Sequence, residues 1–174
     1  PHRRRPRRLH PHSTLKSHKS ERFFRRCLEA FGNTGMRVVM AIGDSVRPES
    51  LGPVPPTMMV RRRVPQLEVL SRASLFITHG GMNSVNEALF YGVPMLVVPV
   101  GNDQPTVARR VEELGLGEAL DIREATPDVL REAAMRVLSD RECHARLSEF
   151  RQETRNAGGN AQAVKLIIKQ LDRA

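Results

Sequence analysis

Short apolar runs separated by segments of helical spacing constrain the fold of this chain more than any other feature of its sequence. Four such runs, each four or five residues long, occupy positions 38–42, 57–60, 75–78 and 95–99. Runs without alternation are typical of strands that are buried on both faces of a parallel sheet. Their alternation with helices predicts an α/β fold with a doubly wound parallel sheet.

Helix signals fill the segments between these runs and continue to the C-terminus. Apolar spacing, N-cap residues and terminal glycines place helices at 21–31, 66–72, 83–91 and 104–114, followed by three more after Thr126, after Asp140 and after the break at 158–160. Pro127 suits the first position of the helix that Thr126 caps. A weak edge strand is expected at 119–121.

The positive charge of the chain is concentrated at its beginning. The formal net charge is +9, yet residues 1–20 contain seven Lys or Arg and no acidic residue, which leaves +2 for residues 21–174. With Leu9 and Leu15 as its large apolar residues, the segment 1–20 is predicted to be a disordered basic tail before one domain, 21–174. Such a tail attracts nucleic acid or anionic lipid by charge alone.

Composition excludes several classes of protein. The chain has 40% hydrophobic residues, which supports a core. No stretch approaches the roughly 18 apolar residues of a transmembrane helix, and the tail lacks the apolar segment of a signal peptide. Two cysteines are too few for a disulfide framework. We therefore expect a cytoplasmic protein without a membrane span.

Two loops that follow apolar runs carry the candidate binding residues. The loop 78–84 (THGGMNS) leads from a strand into a helix, and its glycines and the free N–H groups of the helix suit a phosphate. The spacing of Ser84 and Glu87 also fits a capping box, so a purely structural role stays open. In the second loop, Asp103 and Gln104 suit sugar hydroxyls, although Asp103 alone is more simply explained as a helix cap.

The run VPQLEVLSRASLFITHGGMNSVNEALFYGVPMLVVPVGNDQ, residues 64–104, resembles the donor-binding signature of the family 1 UDP-glycosyltransferases, in particular their bacterial macrolide-type branch. The resemblance extends over about residues 21–170. It implies the C-terminal half of a GT-B glycosyltransferase and an inverting transfer of a hexose from UDP to a hydroxyl of a small lipophilic acceptor. No cofactor and no metal are expected, because the UDP-sugar is the donor substrate.

The resemblance also implies a role for each matched position. The donor phosphates would be bound by His79, Gly81, Asn83 and Ser84, the nucleoside by Arg63, Val64, Gln66 and Glu87, and the transferred sugar by Asp103 and Gln104. Many relatives have Trp at the position of Arg63, where a guanidinium plane would have to stack on uracil instead. Many also have Asn at the position of Val107.

The sequence departs most from the family before residue 21. There the family has an apolar strand that ends in a Gly-Thr turn, and this strand is central in the order 3-2-1-4-5-6 of a Rossmann-like sheet. The departure predicts unpaired inner edges on the strands at 38–42 and 75–78, which Ser13 to Lys19 would fill poorly. One hypothesis is that residues 1–20 are a fusion, frame-shift or truncation junction.

Three functional readings follow from the sequence. The first is a fragment of a UDP-glycosyltransferase that supplies the donor site; the catalytic His of the family lies in the acceptor-binding half, so no catalytic residue is expected in this chain. The second is a non-catalytic remnant that binds UDP-sugar. The third, binding of nucleic acid through the tail, lacks a stacking platform, because the chain has seven Phe or Tyr and no Trp.

Overall fold

A computed structural model of the chain describes residues 17–171. Seven α-helices and five β-strands lie in this part of the chain: α1 (Ser17–Phe31), β1 (Val38–Ala41), β2 (Met58–Arg61), α2 (Gln66–Leu70), β3 (Phe76–Thr78), α3 (Met82–Tyr91), β4 (Met95–Val97), α4 (Gln104–Glu113), β5 (Gly117–Ala119), α5 (Pro127–Ser139), α6 (Arg141–Asn156) and α7 (Gly159–Leu171). A short 3-10 helix, Pro48–Leu51, lies between β1 and β2. The predicted order of elements is confirmed.

Several predicted boundaries differ from the structure by one to four residues, and the two at α1 and at the last strand bear most on the fold. Helix α1 begins at Ser17, so the last four residues of the predicted tail are helical, and residues 1–16 lie outside the described part. The last strand begins at Gly117 rather than at Ala119, because Gly117 already pairs with Met95 of β4. A Cβ atom at Gly117 would lie 1.9 Å from the carbonyl oxygen of Met95, so only glycine allows this approach.

All strand pairs in the described residues are parallel, and they form two separate sheets. Strand β1 pairs with β2, and β4 lies between β3 and β5. The registers align Val38 with Met58 and Phe76 with Met95. No described strand lies between β1 and β3, so the prediction that the inner edges of these two strands have no partner is confirmed for this part of the chain.

Helices cover both faces of the three-stranded sheet. On one face, Leu96 and Val98 pack with residues of α1 and α5, among them Phe31 and Leu130. On the other face, Met95 and Val97 pack with residues of α3, α4 and α6. Consecutive residues of β4 therefore point into opposite cores, which explains why its sequence is apolar without alternation. The predicted doubly wound α/β architecture is confirmed.

The first of these cores is shared by the two sheets. Met40 and Ile42 at β1, Met58 and Val60 of β2, and Leu96 of β4 belong to one cluster of buried side chains. Both sheets thus rest on the layer that α1 and α5 form. No helix within residues 17–171 is long and apolar enough to cross a membrane.

Candidate functional site

The polar loops of the chain meet at the carboxyl ends of β3 and β4. These strands are adjacent and parallel, so the loop after Thr78 and the loop after Val97 leave the sheet at the same edge. Each loop leads into the N-terminus of a helix, α3 and α4 respectively. Open α/β sheets bind their ligands at this edge, just beyond the carboxyl ends of the strands.

Two glycines shape the loop between β3 and α3. Gly80 has φ +85°, and a Cβ atom there would lie 2.8 Å from Cγ1 of Val97. A Cβ atom at Gly81 would lie 2.9 Å from Nε2 of His79. The backbone N–H of Gly80 donates to the hydroxyl of Thr78 at 3.3 Å. The imidazole of His79 therefore lies directly against the backbone that opens helix α3.

Helix α3 begins without a side-chain cap. Its N-cap residue is Gly81, and the first backbone bond of the helix runs from the N–H of Val85 to the carbonyl of Gly81. Ser84 lies inside the helix, so the structural alternative in which Ser84 and Glu87 form a capping box does not hold. The N–H groups of the first turn, including those of Asn83 and Ser84, have no acceptor within the helix and are available to an anion.

Gln66, Ser84 and Glu87 form a hydrogen-bonded group beside this turn. The side-chain amide of Gln66, at the start of α2, donates to Oε2 of Glu87 at 2.6 Å and to Oγ of Ser84 at 3.2 Å. Ser84 and Glu87 are three residues apart on α3, so they share one face of the helix. The structure thus brings together two residues predicted to bind the nucleoside and one predicted to bind phosphate.

His79 and Asp103 connect the two loops electrostatically. Burial of the imidazole lowers the pKa of His79 from its ordinary value of 6.5, and the nearby Asp103 carboxylate acts in the opposite direction. His79 keeps an exposed edge, so burial of the ring is only partial. The lowered pKa makes the imidazole mainly neutral at pH 7. In that state it donates or accepts a hydrogen bond and carries no charge.

Asp103 and Gln104 differ in their surroundings. Gln104 is 4% exposed, and its Oε1 accepts from the backbone N–H groups of Val100 and Gly101 at 2.9 and 3.2 Å. Asp103 is exposed and, although it is the N-cap residue of α4, makes no capping hydrogen bond with its side chain. The explanation of Asp103 as a helix cap therefore fails. The preceding Asn102 has φ +57°, an uncommon backbone state that often marks functional loops.

Arg63 and Val64 follow strand β2, and the structure does not join them to the group around Gln66. Arg63 is exposed and forms an ion pair with the carboxylate of Asp44. Asp44 was not predicted from the sequence. The signal was present, because Asp44 follows β1 at the same edge of the sheet, where polar residues at strand ends are candidates for binding.

One cleft away from these loops does not suit an anionic ligand. It has a volume of about 190 Å³ and is lined by acidic residues that include Glu112 and Glu113 of α4 and Asp140 between α5 and α6, with Arg146 as the basic residue. Its negative potential opposes phosphate. No group of three or more His, Cys, Asp or Glu side chains that could hold a metal ion occurs among the described residues.

Comparison with known proteins identifies the family of this chain. The model of the erythromycin biosynthesis protein CIII-like C-terminal domain matches residues 25–169. NDP-glycosyltransferase YjiC of Bacillus subtilis (strain 168) is 43% identical over 145 residues, which are 83% of this chain and 37% of that protein. Oleandomycin glycosyltransferase of Streptomyces antibioticus is 39% identical over 154 residues, 88% of this chain and 36% of that protein.

A solved structure extends the likeness to three dimensions. The calicheamicin glycosyltransferase CalG4 superposes with a TM-score of 0.85 at 36% identity, covering 88% of this chain and 40% of its own. Together, the fold and these matches define the C-terminal, Rossmann-like half of a GT-B glycosyltransferase. The chain belongs to the family of EryCIII-like C-terminal domains, within the macrolide-type family 1 glycosyltransferases. It spans somewhat more than a third of the length of these curated relatives.

Proposed function

We propose that this chain supplies the donor site of a UDP-dependent hexosyltransferase. The observation that carries the proposal is the uncapped N-terminus of α3 beside the Gln66–Glu87 pair. Free N–H groups suit a diphosphate, and a carboxylate at the distance of about one helical turn suits the hydroxyls of a ribose. The two subsites lie on one helix, in the order in which a nucleoside diphosphate presents them.

The phosphate subsite consists of backbone N–H groups and one imidazole. Gly81, Asn83 and Ser84 would provide donors from the opening turn of α3, and His79 packs against that turn. Because His79 is mainly neutral at pH 7, it would act as a hydrogen-bond donor in the free protein. The negative charge of a bound diphosphate would then raise its pKa.

The nucleoside subsite depends on the carboxylate of Glu87. Gln66 occupies Oε2 of this side chain, which orients the carboxylate and leaves its second oxygen for ribose hydroxyls. Val64 would contact the base through its backbone. Arg63 would stack on the base, either after its ion pair with Asp44 breaks or with that ion pair intact. A guanidinium plane stacks on aromatic faces.

The sugar subsite would lie at the start of α4. Asp103 is free of a capping role and is exposed, so its carboxylate is available to hydroxyls of the transferred hexose. Gln104 has its carbonyl oxygen engaged by the loop, so its contribution would come from the amide Nε2. Asp103 would therefore accept hydrogen bonds from sugar hydroxyls, and Gln104 would donate hydrogen bonds to them.

The reaction assigned to the whole enzyme is an inverting transfer of a hexose to a hydroxyl of a small lipophilic acceptor, without a metal, as the family resemblance implies. The general base that deprotonates the acceptor would come from an acceptor-binding half outside residues 17–171. His79 is not assigned that role, because it belongs to the phosphate subsite. We place the reaction in the cytoplasm, in keeping with two buried, free cysteines.

Calorimetric titration with UDP and with pyrophosphate tests the proposal. We expect His79→Gln to weaken both ligands, and Glu87→Gln to weaken UDP at least about tenfold, or ~1.4 kcal/mol, while leaving pyrophosphate unchanged. That split separates the nucleoside subsite from the phosphate subsite. A chain that unfolds cooperatively but releases no binding heat with UDP would refute the donor site.

Two matched variants serve as controls. His144→Gln and Glu149→Gln make the same chemical changes at exposed positions of α6. Neither should alter the affinity for UDP. If these variants weaken binding as much as the site variants do, the effect is one of general charge or stability and the assignment is wrong.

A further inference from the structure

The chain segments after β1 and β2 stay in contact beyond the ends of these strands. The N–H of Ile42 donates to the carbonyl of Arg61 at 2.9 Å, which continues the regular pairing of the two strands. The N–H of the next residue, Gly43, also donates toward β2, to the carbonyl of Arg62 at 3.0 Å. Successive residues of a regular strand direct their N–H groups to opposite sides, so the second bond requires a turn at Gly43.

The turn at Gly43 is made by its backbone conformation. Gly43 has φ +69°, a value that residues with a side chain rarely adopt, and a Cβ atom there would meet nothing within 4 Å. Glycine is therefore needed for the turn and not for space. The turn directs the residue that follows, Asp44, toward the end of β2.

At the end of β2, the carboxylate of Asp44 meets the guanidinium of Arg63. Nη2 of Arg63 donates to Oδ2 of Asp44, and the two side chains are 66% and 59% exposed respectively. The N–H groups of a guanidinium lie in its plane, so a hydrogen bond to one of them uses an edge and leaves the faces of the plane free. The ion pair thus holds the Arg63 plane at one edge while most of the side chain stays accessible.

Arg63 is also close along the chain to the residue that orients Glu87. Gln66 follows Arg63 by three positions, so their Cα atoms are at most about 11 Å apart. The side-chain amide of Gln66 donates to Oε2 of Glu87 at 2.6 Å. This spacing lets the side chain of Arg63 reach a base whose ribose is bound by Glu87.

We propose that Asp44 is a positioning residue of the donor site. It holds the guanidinium of Arg63 by its edge, so that one face of the intact ion pair stacks on the base of a nucleoside diphosphate. The inference rests on the proposed function, because it takes the nucleoside to bind beside Glu87.

Two properties of arginine explain why a stacking guanidinium needs this partner. An exposed arginine samples many rotamers, and fixing it on a base costs affinity; an ion pair that forms before the ligand arrives removes part of that cost. Arginine is also a strong ligand for phosphate. The carboxylate of Asp44 balances the charge of Arg63, which favours contact with the base over capture of the diphosphate.

The affinities of the full chain for UDP and for 5,6-dihydrouridine 5′-diphosphate test the proposal. The second ligand keeps the ribose and the diphosphate, but its saturated base has no aromatic face. Charge effects on the diphosphate act equally on both ligands, so the ratio of the two affinities reports stacking. We expect this ratio to fall about fivefold in Arg63→Ala and about threefold in Asp44→Asn.

Two further variants show whether Asp44 acts through Arg63. Asp44→Glu keeps a carboxylate and should recover most of the ratio that Asp44→Asn loses. The double variant Asp44→Asn/Arg63→Ala should have the ratio of Arg63→Ala alone, because no guanidinium is left to position. Losses that add in the double variant, or no recovery in Asp44→Glu, would overturn the positioning role.

The matched control is Asp128→Asn, which makes the same change in another exposed ion pair, with Arg131 of α5. It should leave the ratio unchanged. An unchanged ratio in Asp44→Asn, or an equal fall in Asp128→Asn, would overturn this inference while UDP binding by the parent chain still supports the donor site. A folded parent chain that binds neither ligand would refute the donor site and this inference together.

Discussion

At the scale of single residues, the site depends on a few close contacts between loop backbone and side chains. His79 lies against Gly81, and the charge of the nearby Asp103 carboxylate affects the pKa of its imidazole. The side-chain amide of Gln66 donates a hydrogen bond to one carboxylate oxygen of Glu87. These contacts hold the His79 imidazole beside the residue that opens helix α3 and orient the Glu87 carboxylate further along the same helix. We expect each of them to affect ionisation or binding.

The ionisation of His79 tests its surroundings. Burial lowers its pKa below the ordinary 6.5 and the Asp103 carboxylate raises it, so an NMR titration should show a pKa below that value. Asp103→Asn should lower the pKa further, because it removes the opposing charge, and saturating UDP should raise it. His144 on α6 is the internal reference. A His79 pKa that is unchanged in Asp103→Asn would show that the two loops do not interact.

The lowered pKa of His79 also has a consequence for stability. A base with a folded pKa below its unfolded value takes up protons on unfolding, so its contribution to stability is present above pH 6.5 and is lost as the pH falls below it. Denaturant unfolding between pH 7.5 and about pH 5 should therefore show a fall in stability that is smaller in His79→Gln. Equal pH dependence in both proteins would argue against the partial burial of the imidazole.

Gly81 is the second test at this scale. The Cβ atom of Gly81→Ala would lie 2.9 Å from Nε2 of His79, so the ring must move away from the phosphate subsite. We expect at least about tenfold weaker binding of UDP, ~1.4 kcal/mol, with little change in stability. Gly101→Ala is the matched control, since a Cβ atom there meets nothing within 4 Å. Equal affinities of the two variants would contradict the role of the ring.

At the scale of elements, local sequence signals explain where the helices begin. The hydroxyl of Thr126 accepts from the N–H of Val129 at 3.3 Å, and Asp140 accepts from the N–H groups of Glu142 and Cys143 at 2.9 and 3.1 Å. Both residues were identified from the sequence as helix starts. Helix α3, in contrast, lacks such a cap, and this difference distinguishes a helix end that is built for stability from one that is open to a ligand.

Removal of the cap of α6 should cost stability without affecting binding. Asp140→Ala leaves two N–H groups without an acceptor, and we expect a loss of about 1 kcal/mol in the free energy of unfolding, measured with urea. Asp140→Ser keeps an oxygen acceptor and should recover most of the loss. An unchanged affinity for UDP in both variants completes the test, and a cost equal for Ala and Ser would show that the cap hydrogen bonds contribute little.

Sequence reasoning recovers the elements well where one local signal is sufficient. The apolar runs and caps predict every described α-helix and β-strand, and the structure places loop 78–84 between the end of a strand and the start of a helix, as its motif predicts. Pairwise contacts were not predictable, since the bond between Gln66 and Glu87 joins α2 to α3 and depends on tertiary packing. The early start of β5 was missed because Gly117 reads as a helix breaker, and its close contact with Met95 exists only in the folded sheet.

At the scale of the whole molecule, two features bear on the proposed division of labour between two halves of an enzyme. The loops proposed to bind the donor phosphates and sugar lie at one edge of the three-stranded sheet, and we assign no general base among the described residues. The two sheets share a core yet leave two inner edges without a described partner. The match to the CalG4 structure covers 40% of the CalG4 chain. The proposed function therefore assigns donor binding to this chain and acceptor chemistry to a separate half.

The most direct test of this account is a titration of the isotope-labelled chain with UDP, followed through its backbone amide resonances. The account predicts saturable shifts concentrated at Gly81 to Ser84, Gln66 and Glu87, with little change at the acidic cleft around Glu112 and Glu113. Binding at the opening turn of α3 and at its neighbouring carboxylate would establish the donor site. A folded chain with no saturable shift, or with its largest shifts away from α3, would contradict the central claim.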